Sequence, residues 1–405
     1  MEMVLEFLRD VLSQPALLIG IMSCVGLVAL KRPFHKVMTG TLKPILGYLM
    51  LAAGAGVIVS NLDPLGKMIE HGFHITGVVP NNEAIVAVAQ KVLGVETMSI
   101  LVVGLLMNLC IARFTKFKYV FLTGHHSLFM ACLMSAVLGT AGLSGMELIL
   151  VGGFLMGAWS AISPAIGQSY TSKVTDGDEI AIGHFGSLGY YLSAWVAQYV
   201  GKAEDSTEDI EIPEKWGFLR DSTLSTALTM IVFYLIAAIA AGSEFVSTLS
   251  GDMSPYLYAV MSAMNFAVGV TIVYSGVRMI LGDLIPAFQG IATKIIPNAI
   301  PAVDCAVFFT YAPTAVVLGF ISSFIGGIIG MLILGAVGGV LIIPGLVPHF
   351  FCGATAGIYG NATGGRRGAA VGAFLNGLAI TFLPAMALPV LGQLGFQNTT
   401  FGDAD

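Results

Sequence analysis

The chain has 405 residues, of which 56% are hydrophobic and only 10% charged, with a formal net charge of -6 at pH 7. An ordinary soluble domain carries about 25% charged residues, so these proportions exclude a water-soluble enzyme and identify an all-α polytopic membrane protein. The apolar blocks are glycine-rich rather than alternating, which excludes an outer-membrane barrel, and no basic patch points to nucleic acid.

Apolar blocks long enough for a bilayer core of about 30 Å recur from end to end and predict about 11 transmembrane helices. They lie near 15–30, 42–60, 97–113, 117–139, 146–165, 222–242, 255–275, 277–292, 313–333, 338–358 and 368–391. The first lacks a basic n-region and a small-residue cleavage site, so it reads as a retained span. The basic clusters KRPFHK and RFTKFK are expected in the cytoplasm, which puts the N-terminus outside. Cysteines 24, 110, 132, 305 and 352 fall far apart within apolar blocks and without metal-ligand spacing. They read as small buried residues, and neither a metal nor a cofactor is expected.

Two segments are too short or too broken to be spans. Residues 80–94, opening with Asn81, Asn82 and Glu83 after Val79-Pro80, are half a span long. Residues 297–312 hold Asp304 within IIPNAIPAVDCAVFFTYAPTA, whose three prolines argue against a continuous helix. Both are expected to be re-entrant hairpins meeting near the midplane, where broken-helix N–H groups suit an anionic or hydroxyl-rich ligand.

The chain also repeats itself. VGGFLMGAWSAISPAIG at 151–167 aligns with VGAFLNGLAITFLPAMA at 371–387, an offset of 371 − 151 = 220, and VVPNN pairs with IIPNA, KPILGYL with RMILGDL. Three matches in one order mark a duplicated five-span unit, a plan that places the ligand where the repeats meet. The expected organisation is a first repeat at 1–168 including hairpin 80–94, a polar segment with an amphipathic helix and a connecting span at 169–254, a second repeat at 255–391 including hairpin 297–312, and a tail at 392–405. Basic and uncharged loops exchange places between the halves, which favours inverted repeats. Inversion asks for an even number of crossings between the halves. Residues 222–242 supply one, and 182–200 are either a partial crossing or an interfacial helix. The acid run in GKAEDSTEDIEIPEKW reads as a solvated loop. After Pro384 the sequence leaves the membrane and ends abruptly at GDAD, as a chain with a further C-terminal segment would.

Ionisable and polar residues inside spans default to function. Asp304, Asn82 and Glu83 qualify. Among the histidines, His35 and His71 are expected in loops, His349 lies in the last third, and His125 and His126 are expected to open a span. His125 and His184 stand beside glycine at the edge of an apolar block, where a ligand can reach them. Gly353, Gly357 and Gly360 permit close backbone approach or a broken helix, and Thr355 and Asn361 offer donors and acceptors. Arg366 and Arg367 read as cytoplasmic anchors or as a dock for an acidic partner. The chain shows no catalytic triad, CxxC pair or nucleotide fingerprint, so no catalytic residue is assigned.

At LTGHH, VTDG…IGH (174–184), VDCAVFFTYAPTAVVLGF and IIPGLVPHFFCGATAGIYGNATGGRRGA, the chain closely resembles the ascorbate-specific IIC permeases of the bacterial phosphotransferase system, in the ascorbate/galactitol superfamily. The resemblance implies a homodimer in the bacterial cytoplasmic (inner) membrane, with a core domain for the substrate and a V-shaped dimerisation domain. It implies that L-ascorbate is bound, moved inward and phosphorylated by a phosphocysteine on a soluble IIB protein, itself fed by IIA. His125, His184 and Asp304 match positions that contact ascorbate in the family, and Phe129 and Phe185 stand where some relatives carry glutamines. The expected substrate-binding set is therefore His125, His184, Asp304, Asn82, Glu83, Gly353 and Thr355. The rival classes are a membrane scaffold, against which the polar hairpins count, and an ion-coupled secondary transporter of a polyol or organic anion. The latter would use Asp304 or Glu83 as its coupling carboxylate.

Overall fold

Helices dominate because backbone N–H and C=O groups in lipid must be paired within their own segment. A computed structural model describes residues 11, 14–74, 77–78, 80, 82–177, 179–210, 222–393 and 400–402. In chain order it comprises α1 (Pro15–Ala29), α2 (Phe34–Gly72), α3 (Asn82–Phe114), β1 (Tyr119–Phe121), α4 (Gly124–Thr140), α5 (Gly145–Thr175), β2 (Ala181–Ile182), α6 (Ser187–Val200), α7 (Ser222–Ala241), α8 (Ser243–Ser250), α9 (Pro255–Lys294), β3 (Ile300–Val303), a 3-10 helix (Cys305–Thr310), α10 (Pro313–Ala336) and α11 (Leu346–Gln393). Among the described residues six helices are long and apolar enough to cross a membrane, and a seventh arises if α7 and α8, bent by 117°, form one span. The chain is a polytopic membrane protein.

Glycine decides how the longest helices meet. A Cβ on Gly47 of α2 would lie 2.9 Å from the Gly276 carbonyl oxygen of α9, and one on Gly54 would lie 2.8 Å from that of Gly269. Numbers rise along α2 as they fall along α9, so the two run antiparallel with backbones in contact, the small-residue packing that lipid favours. Residues 255–275 and 277–292, expected as two spans, are therefore one 40-residue helix, about 60 Å long at 1.5 Å per residue. Gly276, which falls between the two expected blocks, is a packing contact. Helices α1, α7 and α8 complete this group.

A second group packs around α3 to α6, α10 and α11. Gly157 of α5 abuts the Gly104 carbonyl of α3, and Gly319 of α10 lies against Gly353 and Gly357. Helix α11 breaks at Gly364 and Gly365, the latter at φ 60°, so its two arms flank α10: Gly326 meets Phe374 and Gly377 of the second arm. Residues 187–200 form a helix, α6, that packs along this second arm, with Ser193 against Gly372 and Ala197 against Gly364.

Among the described residues, extended backbone pairs in two places. Strands β1, β3 and β2 form a parallel three-stranded sheet in that order, pairing Tyr119 with Ile300 and Ala181 with Ala302. An isolated parallel bridge joins Val78 to Ile342. In both places the backbone N–H and C=O groups find partners within the protein, which is what non-helical backbone needs where lipid surrounds a chain. Segment 297–312 is β3 followed by the 3-10 helix, as its prolines required. In segment 80–94, α3 begins at Asn82 and breaks at Leu93 (φ −134°, ψ 36°).

The acid run corrects the sequence expectation of a free solvated loop over its described part, residues 202–210. The Thr207 N–H donates to Asn361 Oδ1 at 2.8 Å, the Arg366 N–H donates to the Asp205 carbonyl at 2.8 Å, and Glu208 accepts N–H bonds from Thr314 and Ala315 at 3.0 Å each. The loop straps the α11 break to the start of α10. The tail also folds back: Thr400 bonds the Pro384 carbonyl at 3.1 Å, and Phe401 is buried against Phe185.

Candidate functional site

All three parallel strands end at the same edge of the sheet, and each delivers a polar side chain there. β1 leads through Thr123 into the first turn of α4, which carries His126. β2 leads through Gly183 to His184, just before α6. β3 ends at Asp304, whose Oδ1 accepts the Ala306 N–H at 3.3 Å and caps the 3-10 helix. The carboxyl ends of parallel strands are where open sheets gather ligands, because helix N-termini converge there.

These three side chains are buried. One ring nitrogen from each histidine and a carboxylate oxygen of Asp304 lie within 4.8 Å of one another, and the two rings stand 3.8 Å apart, centroid to centroid. They form one wall of a cavity of about 1400 Å³ that runs between the two helix groups. The opposite wall carries Tyr48, Leu51 and Leu62 of α2 and Phe233 and Ile236 of α7. Farther along α2 the lining becomes charged, with Asp63, Lys67 and Glu70. Lys67 pairs with Asp63 at 2.7 Å.

Backbone donors fix the chemistry of the histidines. The Phe185 N–H donates to His126 Nδ1 at 3.4 Å, and the Gly186 N–H donates to His184 Nδ1 at 3.0 Å. A nitrogen that accepts carries no proton, so the hydrogen-bond network assigns each neutral ring its proton on Nε2. The triplet also has the composition of a metal site, but a ligating histidine donates its other N–H outward and binds through a bare nitrogen. Here the arrangement is reversed. Two N–H donors beside one carboxylate suit an organic ligand with acceptor oxygens and hydroxyls better than a cation.

Of the residues expected from sequence, His184 and Asp304 are brought together at the cavity. The described histidine that joins them is His126. The side chain of its neighbour His125 lies outside the described residues, as do those of Asn82 and Glu83, which open α3. Gly353 faces Ser323 and Gly319 across the α10–α11 contact, and the Thr355 hydroxyl bonds the Phe351 carbonyl at 2.8 Å; neither lines the cavity. Asn361 holds the strap. Phe129 lines the cavity, whereas Phe185 packs on Phe401 at 5.7 Å. Tyr48 lines it too, with no sequence signal beyond being a tyrosine in an apolar run.

Comparison with known proteins agrees with the motif resemblance. The chain is 27% identical, over 90% of its own length, to a protein of Mycoplasma pneumoniae named ascorbate-specific PTS system EIIC component, and spans 63% of that relative's length. Residues 10–405 match the family described as PTS system sugar-specific permease component. The chain, with its long apolar helices and its buried cluster of two histidines and an aspartate, belongs to that family of phosphotransferase-system permeases.

Proposed function

We propose that this protein binds L-ascorbate in the cavity beside His126, His184 and Asp304 and carries it across the bacterial cytoplasmic membrane, where a soluble phosphocysteine IIB protein, charged by IIA, phosphorylates it. The observation that carries this reading is the buried cluster of His126, His184 and Asp304, whose ligand atoms lie within 4.8 Å of one another while Nδ1 of each ring accepts a backbone N–H. Ascorbate is an enolate anion bearing several hydroxyls, so the imidazoles donate to its charged oxygens while Asp304 accepts from a hydroxyl. Charge-assisted bonds of this kind are roughly twice as strong as neutral ones. His125, Asn82 and Glu83 remain proposed contributors by their place in the sequence.

Several contacts support an inverted repeat with an internal two-fold. Tyr119 pairs with Ile300 in the sheet, and Val78 pairs with Ile342 in the isolated bridge. The mates are separated by 300 − 78 = 222 and 342 − 119 = 223, near the offset of 220 between the duplicated sequences. Helices α2 and α9, which contain the matched KPILGYL and RMILGDL, run antiparallel. In this reading α1, α2, α7, α8 and α9 form the V-shaped unit of a homodimer, and the remaining group is the transporting core, with the cavity between them.

Uptake of labelled ascorbate into cells with and without the IIB partner, at fixed membrane potential, tests the mechanism. Accumulation as phosphorylated ascorbate, dependent on the partner, is expected. Full accumulation of unmodified ascorbate without it would assign the energy to an ion gradient and Asp304 to ion coupling.

A further inference from the structure

The residue that prepares His184 for its ligand is Tyr190, one turn into α6. Tyr190 is fully buried, and its hydroxyl lies 2.9 Å from His184 Nδ1. The Gly186 N–H already donates to that nitrogen, so Nδ1 bears no proton and the tyrosine hydroxyl is the donor. Its place is fixed by its surroundings. The Tyr190 ring packs at 5.4 Å from His184 and 6.0 Å from Tyr359. Tyr359 is itself tied to Thr171 of α5 by a 2.7 Å hydrogen bond, and Tyr191 donates to the Ser163 carbonyl at 2.9 Å. Helices α5, α6 and α11 therefore hold one hydroxyl against one ring nitrogen.

A histidine held by one backbone bond can flip about its ring axis or exchange tautomers at modest cost. Two donors converging on Nδ1 disfavour both. The alternative tautomer would turn a lone pair toward the ligand, and a lone pair facing an anionic oxygen is repulsive. We propose that Tyr190 is a positioning residue that holds His184 in its Nε2–H tautomer, so that the site selects ligands offering an acceptor oxygen. The inference rests on the reading of this cavity as the ligand site.

The test uses the full chain purified in detergent with 15N-labelled histidine, His184 being assigned by its loss in His184→Gln. The wild type is expected to show a single neutral Nε2–H form of His184. Tyr190→Phe, which keeps the ring packing, is expected to show a tautomer mixture and to bind labelled L-ascorbate about five- to tenfold more weakly, the effect of one hydrogen bond. Thr381→Val removes a buried hydroxyl that bonds the Gly377 carbonyl in the second arm of α11, outside the contacts that hold Tyr190, and is expected to leave both readouts unchanged. A wild-type His184 protonated on Nδ1 overturns the proposal however Tyr190→Phe folds, as does an unaltered tautomer in Tyr190→Phe. An equal loss of affinity in Thr381→Val would reduce Tyr190 to packing. If the wild type binds no ascorbate yet the tautomer still responds to Tyr190→Phe, the ligand assignment fails and the positioning role stands.

Discussion

The side-chain carbonyl of Asn361 accepts the backbone N–H of Thr207 at 2.8 Å, across 154 residues of sequence. The amide end of the same side chain donates to Ser206 Oγ at 3.1 Å, so one asparagine beside the α11 break fastens the acidic strap. Removing it leaves the buried Thr207 amide without its partner, a loss of about 1–3 kcal/mol. Asn361→Ala is expected to lower the thermal midpoint and to speed proteolysis within 202–210, measured on the purified protein. Unchanged cleavage there would mean that Glu208 and the Arg366–Asp205 backbone bond hold the strap without Asn361.

The α2–α9 seam makes a sharp contrast between two glycines of one helix. A Cβ on Gly276 would fall 2.6 Å from the Gly47 carbonyl oxygen, whereas a Cβ on Gly282 would meet nothing within 4 Å. Gly276→Val is therefore expected to force the helices apart and cost about 1–3 kcal/mol. Gly282→Ala is expected to be neutral or to stabilise by up to about 1 kcal/mol through helix propensity. Thermal unfolding in a single detergent compares them, and equal effects would contradict the close contact.

At the site, His184→Ala and His126→Ala are each expected to weaken ascorbate binding about ten- to hundredfold while leaving the fold intact, since a hydrogen bond to a charged ligand is worth about 1.5–3 kcal/mol. Equilibrium binding to these two purified variants, with His125→Ala beside them, decides which histidines contribute, and full affinity in His126→Ala would remove that residue from the site.

The assigned tautomers also bear on metals. Both Nδ1 atoms are occupied by N–H donors, so zinc would have to displace a proton from each ring. Added zinc is expected not to raise the thermal midpoint. A saturable rise lost in His184→Ala would show that the triplet binds a cation.

The sequence made some of this visible for identifiable reasons. Asp304 stood out because prolines at 297, 301 and 313 forbid a continuous helix around it, and His184 because a histidine beside Gly183 interrupts an apolar block. His126 carried no more signal than its neighbour in the sequence, since consecutive helical residues point about 100° apart and their phase is set only by where α4 starts. The blocks 255–275 and 277–292 misled because one long helix packed through its glycines reads, in one dimension, like two shorter ones. The acid run misled because its docking depends on Asn361, far away in the chain. Tyr190 and Tyr48 gave no signal: tyrosine is at home in membrane helices, and only the fold brings either to the site.

The central claim is that the buried donor pair and carboxylate form an ascorbate site. Equilibrium binding of labelled L-ascorbate to the purified protein, in competition with unlabelled ascorbate and with galactitol, tests it most directly. The account predicts saturable binding that ascorbate displaces, that galactitol displaces poorly for want of an anionic oxygen, and that His184→Ala loses. Displacement by galactitol as readily as by ascorbate, or binding that survives in His184→Ala, would contradict it.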